Sequence, residues 1–120
     1  NVVATFAEEV RRRLPVNADY LGVVREAMRQ SVSTGVAGSA KVPGLAVAGK
    51  TGTAEFGPGQ GDGGYDTHGW FVGFAPYEDP EIAVVVFVQR GGGFANAAPA
   101  AARIFDYYFN QRYVAEQEAP

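Results

Sequence analysis

The chain contains no cysteine. Disulfides and thiolate metal sites are therefore excluded. His68 is its only histidine, and nothing around it has the spacing of a zinc site. No apolar run approaches the ~20 residues that a membrane-spanning helix needs. Excess charge is lacking too: 10 basic and 13 acidic residues leave a formal −3, which argues against nucleic acid as a partner. The basic run Arg11-Arg12-Arg13 is short and reads as solvated surface. No signal peptide is visible, and the first residue is Asn1 rather than Met. A processed product and an excised piece would both look like this.

What is present suits a folded domain or one lobe of a larger one. The 120 residues are 47% hydrophobic and 12% aromatic. Residues 1–16 carry no decisive pattern. "NVVATF" suits a short strand or an extended arm, and "EEVRRRLPV" a second extended piece that stops at Pro15. From Asn17 the pattern becomes helical, with Asn17 or Asp19 as its N-cap. Tyr20, Val23, Val24, Ala27, Met28 and Val32 form one apolar stripe, and Gly35 is a C-terminal stop. Leu45 to Phe56 reads as a strand. "GPGQGDGG", Gly57 to Gly64, reads as a mobile connection. Trp70 to Ala75 and Ile82 to Val88 are two further strands, the second apolar on both faces. Short connections predict an antiparallel meander, making the chain α+β: a three-stranded antiparallel sheet flanked by an N-terminal and a C-terminal helix. The last helix is expected to be capped by Asn96, with Pro99 in its first turn and helical spacing to Arg112. The tail "AEQEAP" is polar and reads as frayed.

One stretch, "GLAVAGKTGTAEFG", satisfies two motifs at once. Gly44 to Thr51 fits the phosphate-loop pattern G-x-x-x-x-G-K-[ST]. Lys50-Thr51-Gly52 fits the K-T-G of penicillin-interactive serine enzymes. A phosphate loop needs a buried strand before its glycines and a helix starting at its lysine. Here "GSAKVP" precedes the motif as a loop, Leu45 to Ala48 suits a strand, and Gly52-Thr53-Ala54-Glu55-Phe56-Gly57-Pro58 does not start a stable helix. Nucleotide binding is rejected on that ground.

On a strand the side chains alternate, so Thr51 and Thr53 point one way and Lys50 the other. Two hydroxyls on one face make a polar rail for a carboxylate or an extended peptide. Lys50 adds positive charge, and Gly52 lets another backbone lie close. An extended peptide can pair there by strand addition, and a strand N–H can stabilise an oxyanion. An ordinary surface strand bearing a lysine also fits the tripeptide taken alone.

The surroundings narrow the choice. "KTGTAEFG", "HGWFVGFAP", "IAVVVFVQRGGG" and "NAAPAAARIFDYYF" follow in one order. This series resembles the C-terminal part of the transpeptidase domain of class B penicillin-binding proteins, from about Tyr20 to Tyr108. Trp70 and "AEFG" resemble the elongation-type subgroup. The resemblance implies a partial lobe of the serine β-lactamase/transpeptidase-like fold, occupying residues 1–120 as a single piece. It implies a serine acyl-transferase that cross-links peptidoglycan stem peptides and is acylated by β-lactams, with no cofactor and no metal. Lys50 would organise the site electrostatically. The Thr51 hydroxyl would bind the terminal carboxylate of D-Ala-D-Ala or of the drug, beside Gly52. Thr53 would give its backbone N–H to the oxyanion hole, with its side chain also at the ligand. His68 and Trp70 read as structural. The location implied is the cell membrane, on its extracytoplasmic face, with the anchor outside this chain.

The family's S-x-x-K is missing. Ser31, Ser33 and Ser39 are followed three residues later by Thr34, Val36 and Val42, and Ser39-Ala40-Lys41 is one residue short. S-x-N is missing as well. The nucleophile and general base are therefore expected in the remainder of the transpeptidase domain, and this chain alone is expected to be inactive. Two clear helices do not cover both faces of the sheet, so apolar surface and self-association are expected of the isolated piece. The alternative is a stand-alone module that binds peptides or β-lactams without covalent chemistry.

Overall fold

The computed structural model describes residues 9–57 and 64–111. The expectations placed on "NVVATF", on most of "GPGQGDGG", on Arg112 and on the tail fall outside them. Residues 9–17 run as exposed chain into helix α1, Ala18–Ser33. Asn17 is its N-cap: the side-chain oxygen accepts from the Asp19 N–H at 2.9 Å, which satisfies one of the orphan donors of the first turn. The helix ends at Ser33. The Thr34 and Gly35 N–H groups both return to the Gln30 carbonyl at 3.0 Å.

Three strands follow: β1 (Ala48–Phe56), β2 (Asp66–Ala75) and β3 (Ile82–Val88). They form an antiparallel sheet in the order β1-β2-β3. The meander and the limits of β3 match the sequence reading. β1 starts three residues later than expected, because Leu45 closes an isolated bridge with Val42 before the ladder begins. β2 starts four residues earlier, because Asp66 to Gly69 pair with Phe56 to Thr53.

After β3 the chain turns through Gln89–Gly92 into a helical segment. A wide π turn, Gly93–Ala97, leads into α2, Ala98–Asp106, and a second π turn, Tyr107–Gln111, ends it. The helix thus begins at Gly93, three residues before the expected cap. Asn96 sits inside the first turn and reaches back, its Oδ1 accepting from the Gly92 N–H at 2.8 Å.

One face of the sheet carries the core. Phe71, Ala75 and Val84 are buried together with Ala97, Ala98, Ala101 and Phe105 of the last helical segment. The alanines keep this helix close to the strands. Phe71 lies so close to its own sheet that a Cβ at Gly73 would stand 2.7 Å from its ring and 2.6 Å from the Ala48 carbonyl oxygen. Glycine is the residue that permits that approach. At the other end, α1 docks by polar and aromatic contacts. The Arg25 guanidinium donates to the Tyr77 carbonyl at 2.8 Å and lies 5.5 Å from the rings of Phe74 and Tyr77.

The opposite sheet face is open. Val85 is 65% exposed, Phe87 49%, Val72 46% and Trp70 43%. β3, apolar on both faces in sequence, turns only one of them towards the core in this chain. Likewise, of the α1 stripe only Val32 is buried, while Tyr20, Val23 and Val24 stay exposed. Both findings agree with the exposed apolar surface expected above.

Candidate functional site

Lys50, Thr51, Gly52 and Thr53 lie in the middle of β1, which among the described residues pairs with β2 alone. The segment is extended, and no helix starts at Lys50. Across the ladder, Thr51 pairs with buried Phe71 and Thr53 with buried Gly69, while Lys50 pairs with exposed Val72 and Gly52 with exposed Trp70. The two hydroxyls therefore project towards the α2 side of the sheet and Lys50 towards the open side. This is the alternation the sequence predicts.

Lys50 is exposed, and its Nζ donates to the neighbouring Thr51 carbonyl at 2.6 Å. Among the described residues it forms no ion pair, so its charge remains available to an anion. Thr53 is exposed at the rim. Its Oγ1 accepts a long hydrogen bond of 3.4 Å from the Gly93 N–H, at the start of the last helical segment. Gly93 is pressed against the motif: a Cβ there would collide with the Gly52 carbonyl oxygen and lie 3.0 Å from both the Gly52 nitrogen and the Trp70 carbonyl oxygen. The start of this helix thus abuts the K-T-G-T strand across bare backbone.

His68 lies in β2 on the open face. Its ring stacks on Phe56 with centroids 4.0 Å apart and meets Phe87 edge-on at 5.2 Å. Its Nδ1 accepts from the Arg90 N–H at 3.1 Å. Trp70 packs on Phe87 at 4.6 Å. Both residues make the packing contacts expected of structural side chains. The participation of Gly93 and of the glycine turn before it was not legible. The only signal is the run Gly91-Gly92-Gly93, which in sequence marks no more than a break after β3.

A strand with an accessible lysine, one half-buried and one exposed hydroxyl on its other face and a helix start beside it can hold an anionic, extended ligand. Among the described residues no cluster of His, Asp or Glu is arranged to hold a metal. None of the three serines has a lysine three residues on. No helix of the described residues is long and apolar enough to cross a membrane.

The architecture is shared with known transpeptidases. Penicillin-binding protein A from Mycobacterium tuberculosis, solved as an imipenem acyl-enzyme complex, superposes with a TM-score of 0.61 at 32% identity, over 81% of this chain and 21% of that one. The fold is thus a three-stranded lobe of the penicillin-binding transpeptidase architecture. The sequence agrees. The peptidoglycan D,D-transpeptidase MrdA of Haemophilus influenzae is 42% identical over 76 residues, 55% of this chain and 12% of that protein. MrdA of Acinetobacter baumannii is 36% identical over 98 residues, 74% of this chain and 15% of that protein. The family profile of the penicillin binding protein transpeptidase domain matches residues 1–106, and the chain belongs to that family. It spans less than a sixth of the length of these two curated relatives.

Proposed function

We propose that the chain supplies one wall of the active site of a serine-type D,D-transpeptidase that cross-links peptidoglycan stem peptides and is acylated by β-lactams. The observation that carries this reading is the extended Lys50–Thr53 segment on a sheet edge that no other described strand covers, in a chain of this family. Lys50 contributes positive charge. Thr51 and Gly52 receive the terminal carboxylate and backbone of a D-Ala-D-Ala stem. The Thr53 N–H helps stabilise the oxyanion, and its hydroxyl faces the ligand. The nucleophilic serine and its lysine come from the remainder of the domain, so this chain alone does not turn over. In the cell the site faces outward from the membrane, as in an elongation-type enzyme, with the anchor outside this chain. The resemblance of the MrdA relatives supports that assignment.

A graft tests the reading. Residues 20–108 replace the matching segment of the Acinetobacter baumannii relative, and the product is challenged with a fluorescent penicillin. The graft is expected to become labelled. Lys50→Ala is expected to slow labelling by about 10²–10³, the usual cost of losing an electrostatic group at such a site. The 120-residue chain alone is expected to stay unlabelled. Labelling of the chain alone would overturn the placement of the nucleophile. Reversible binding of D-Ala-D-Ala peptide by the chain alone, with an unlabelled graft, would instead favour a stand-alone binding module.

A further inference from the structure

Thr53 is held from behind by the turn that joins β3 to the last helix, and that turn is latched onto β2 at two consecutive residues. At the first, the Gly91 N–H donates to the Thr67 carbonyl at 2.8 Å, and the Thr67 hydroxyl donates to the Gly91 carbonyl at 3.1 Å. At the second, the Arg90 N–H donates to His68 Nδ1 at 3.1 Å. Arg90 has φ of 56°, the left-handed region that a residue with a Cβ seldom adopts. These bonds hold it there. A neutral imidazole that accepts at Nδ1 carries its proton on Nε2, and the stack on Phe56 fixes the ring plane. The turn lies directly on β2: a Cβ at Gly69 would stand 2.5 Å from the Gly92 carbonyl oxygen. Two residues beyond the latch, the Gly93 N–H reaches Thr53 Oγ1.

The direction of that last bond has a chemical consequence. Gly93 donates, so one lone pair of Thr53 Oγ1 is occupied. The hydroxyl proton has no acceptor among the described residues. The Thr53 proton can therefore be given to a carboxylate or an oxyanion while Gly93 holds the oxygen from behind.

We propose that Thr67 and His68 are positioning residues, which latch the Arg90–Gly93 turn so that the Gly93 N–H orients the Thr53 hydroxyl as a donor towards an anionic ligand. The ligand-facing part of this inference rests on the function proposed above. The latch itself does not.

Amide hydrogen exchange, followed by NMR on the full 120-residue chain, tests the latch without any ligand. His68→Phe keeps an aromatic ring between Phe56 and Phe87 but removes the acceptor. Thr67→Val keeps the shape but removes the hydroxyl. Each is expected to accelerate exchange at Gly91 and Gly93 by about tenfold or more, as local opening does, and to shift the Thr53 γ-methyl resonance. Phe74 and Ala83, paired at the far end of the sheet, should exchange as before. His68→Asn and Thr67→Ser, which return an acceptor and a hydroxyl, should restore protection. General stabilisation of the sheet would accelerate Phe74 and Ala83 equally and show no such rescue, and that result would overturn the proposal. So would unchanged exchange at Gly93. Should His68→Phe fail to fold, Thr67→Val, which alters one half-buried hydroxyl, decides by the same criteria. In the graft, Thr67→Val should slow penicillin labelling and Thr67→Ser restore it. An unlabelled graft with the exchange pattern intact would count against the enzymatic reading and leave the latch standing.

Discussion

At the residue scale, the sheet is organised around Phe71. It is fully buried, and the Gly73 backbone lies against its ring. Removing the ring leaves a cavity that two rigid elements, the sheet and α2, cannot close. Phe71→Ala is expected to cost about 3–5 kcal/mol. Gly73→Ala is expected to be comparably damaging for the opposite reason. The added methyl meets backbone at Ala48 as well as the ring, so relief requires β1 and β2 to separate. Urea denaturation of the two variants, read by Trp70 fluorescence, checks both. A midpoint shift in Gly73→Ala no larger than that of an exposed surface substitution would contradict the close approach.

At the element scale, α1 shows how local chemistry and tertiary context divide the work. Glu26 receives two hydrogen bonds from Arg29, at 2.6 and 2.8 Å, and one from Gln30 at 2.9 Å. The Arg29 hydrogen bonds, followed by that of Gln30, pull its carboxyl from the ordinary 4.5 to about 2. A depressed carboxylate favours the folded state above its unfolded value, and that contribution is lost as pH falls from 4.5 through about 2. Both side chains are more than one-third exposed, so solvent screens the pair and the effect is small. Helix content, read by circular dichroism, should show a slight acid-side decline in that window. Glu26→Gln should flatten it.

The same elements show what was legible in the sequence. A cap at Asn17 or Asp19, the span of β3 and the alternation of Lys50 against Thr51 and Thr53 are local properties, and each was readable; the choice of Asn17 came from the structure. The start of β2 was not, because Asp66, Thr67 and His68 look polar and enter the sheet only through pairing with Glu55 and its neighbours. Asn96 resembled a cap. The helix starts earlier because Gly93, lacking a side chain, can approach Gly52. The latch joins residues more than twenty apart in sequence, so no local pattern announces it.

At the scale of the whole molecule, the open face decides behaviour. Trp70, Val72, Val85 and Phe87 form an apolar surface on one side of the sheet, and Tyr20, Val23 and Val24 add more on α1. Among the described residues, the outer edge of β3 is also unpaired. Water contact with such surface is unfavourable at roughly 25 cal/mol per Å², so the isolated chain is expected to self-associate. Sedimentation velocity should show a species heavier than the 12.7 kDa monomer that dissociates on dilution. Val85→Lys with Phe87→Lys should shift it towards monomer. A clean monomer across the concentration range would mean that this face is tolerated in water.

The seam of Ala97, Ala98 and Ala101 is fully buried and keeps the last helix low over the strands. Methyl groups therefore set its elevation, and the same elevation determines how firmly its opening turn leans on the rim of the sheet. A bulkier side chain anywhere along that seam would tilt the rod and lift its leading end. The grip offered to a ligand at residue 53 is thus governed in part by positions that no ligand reaches.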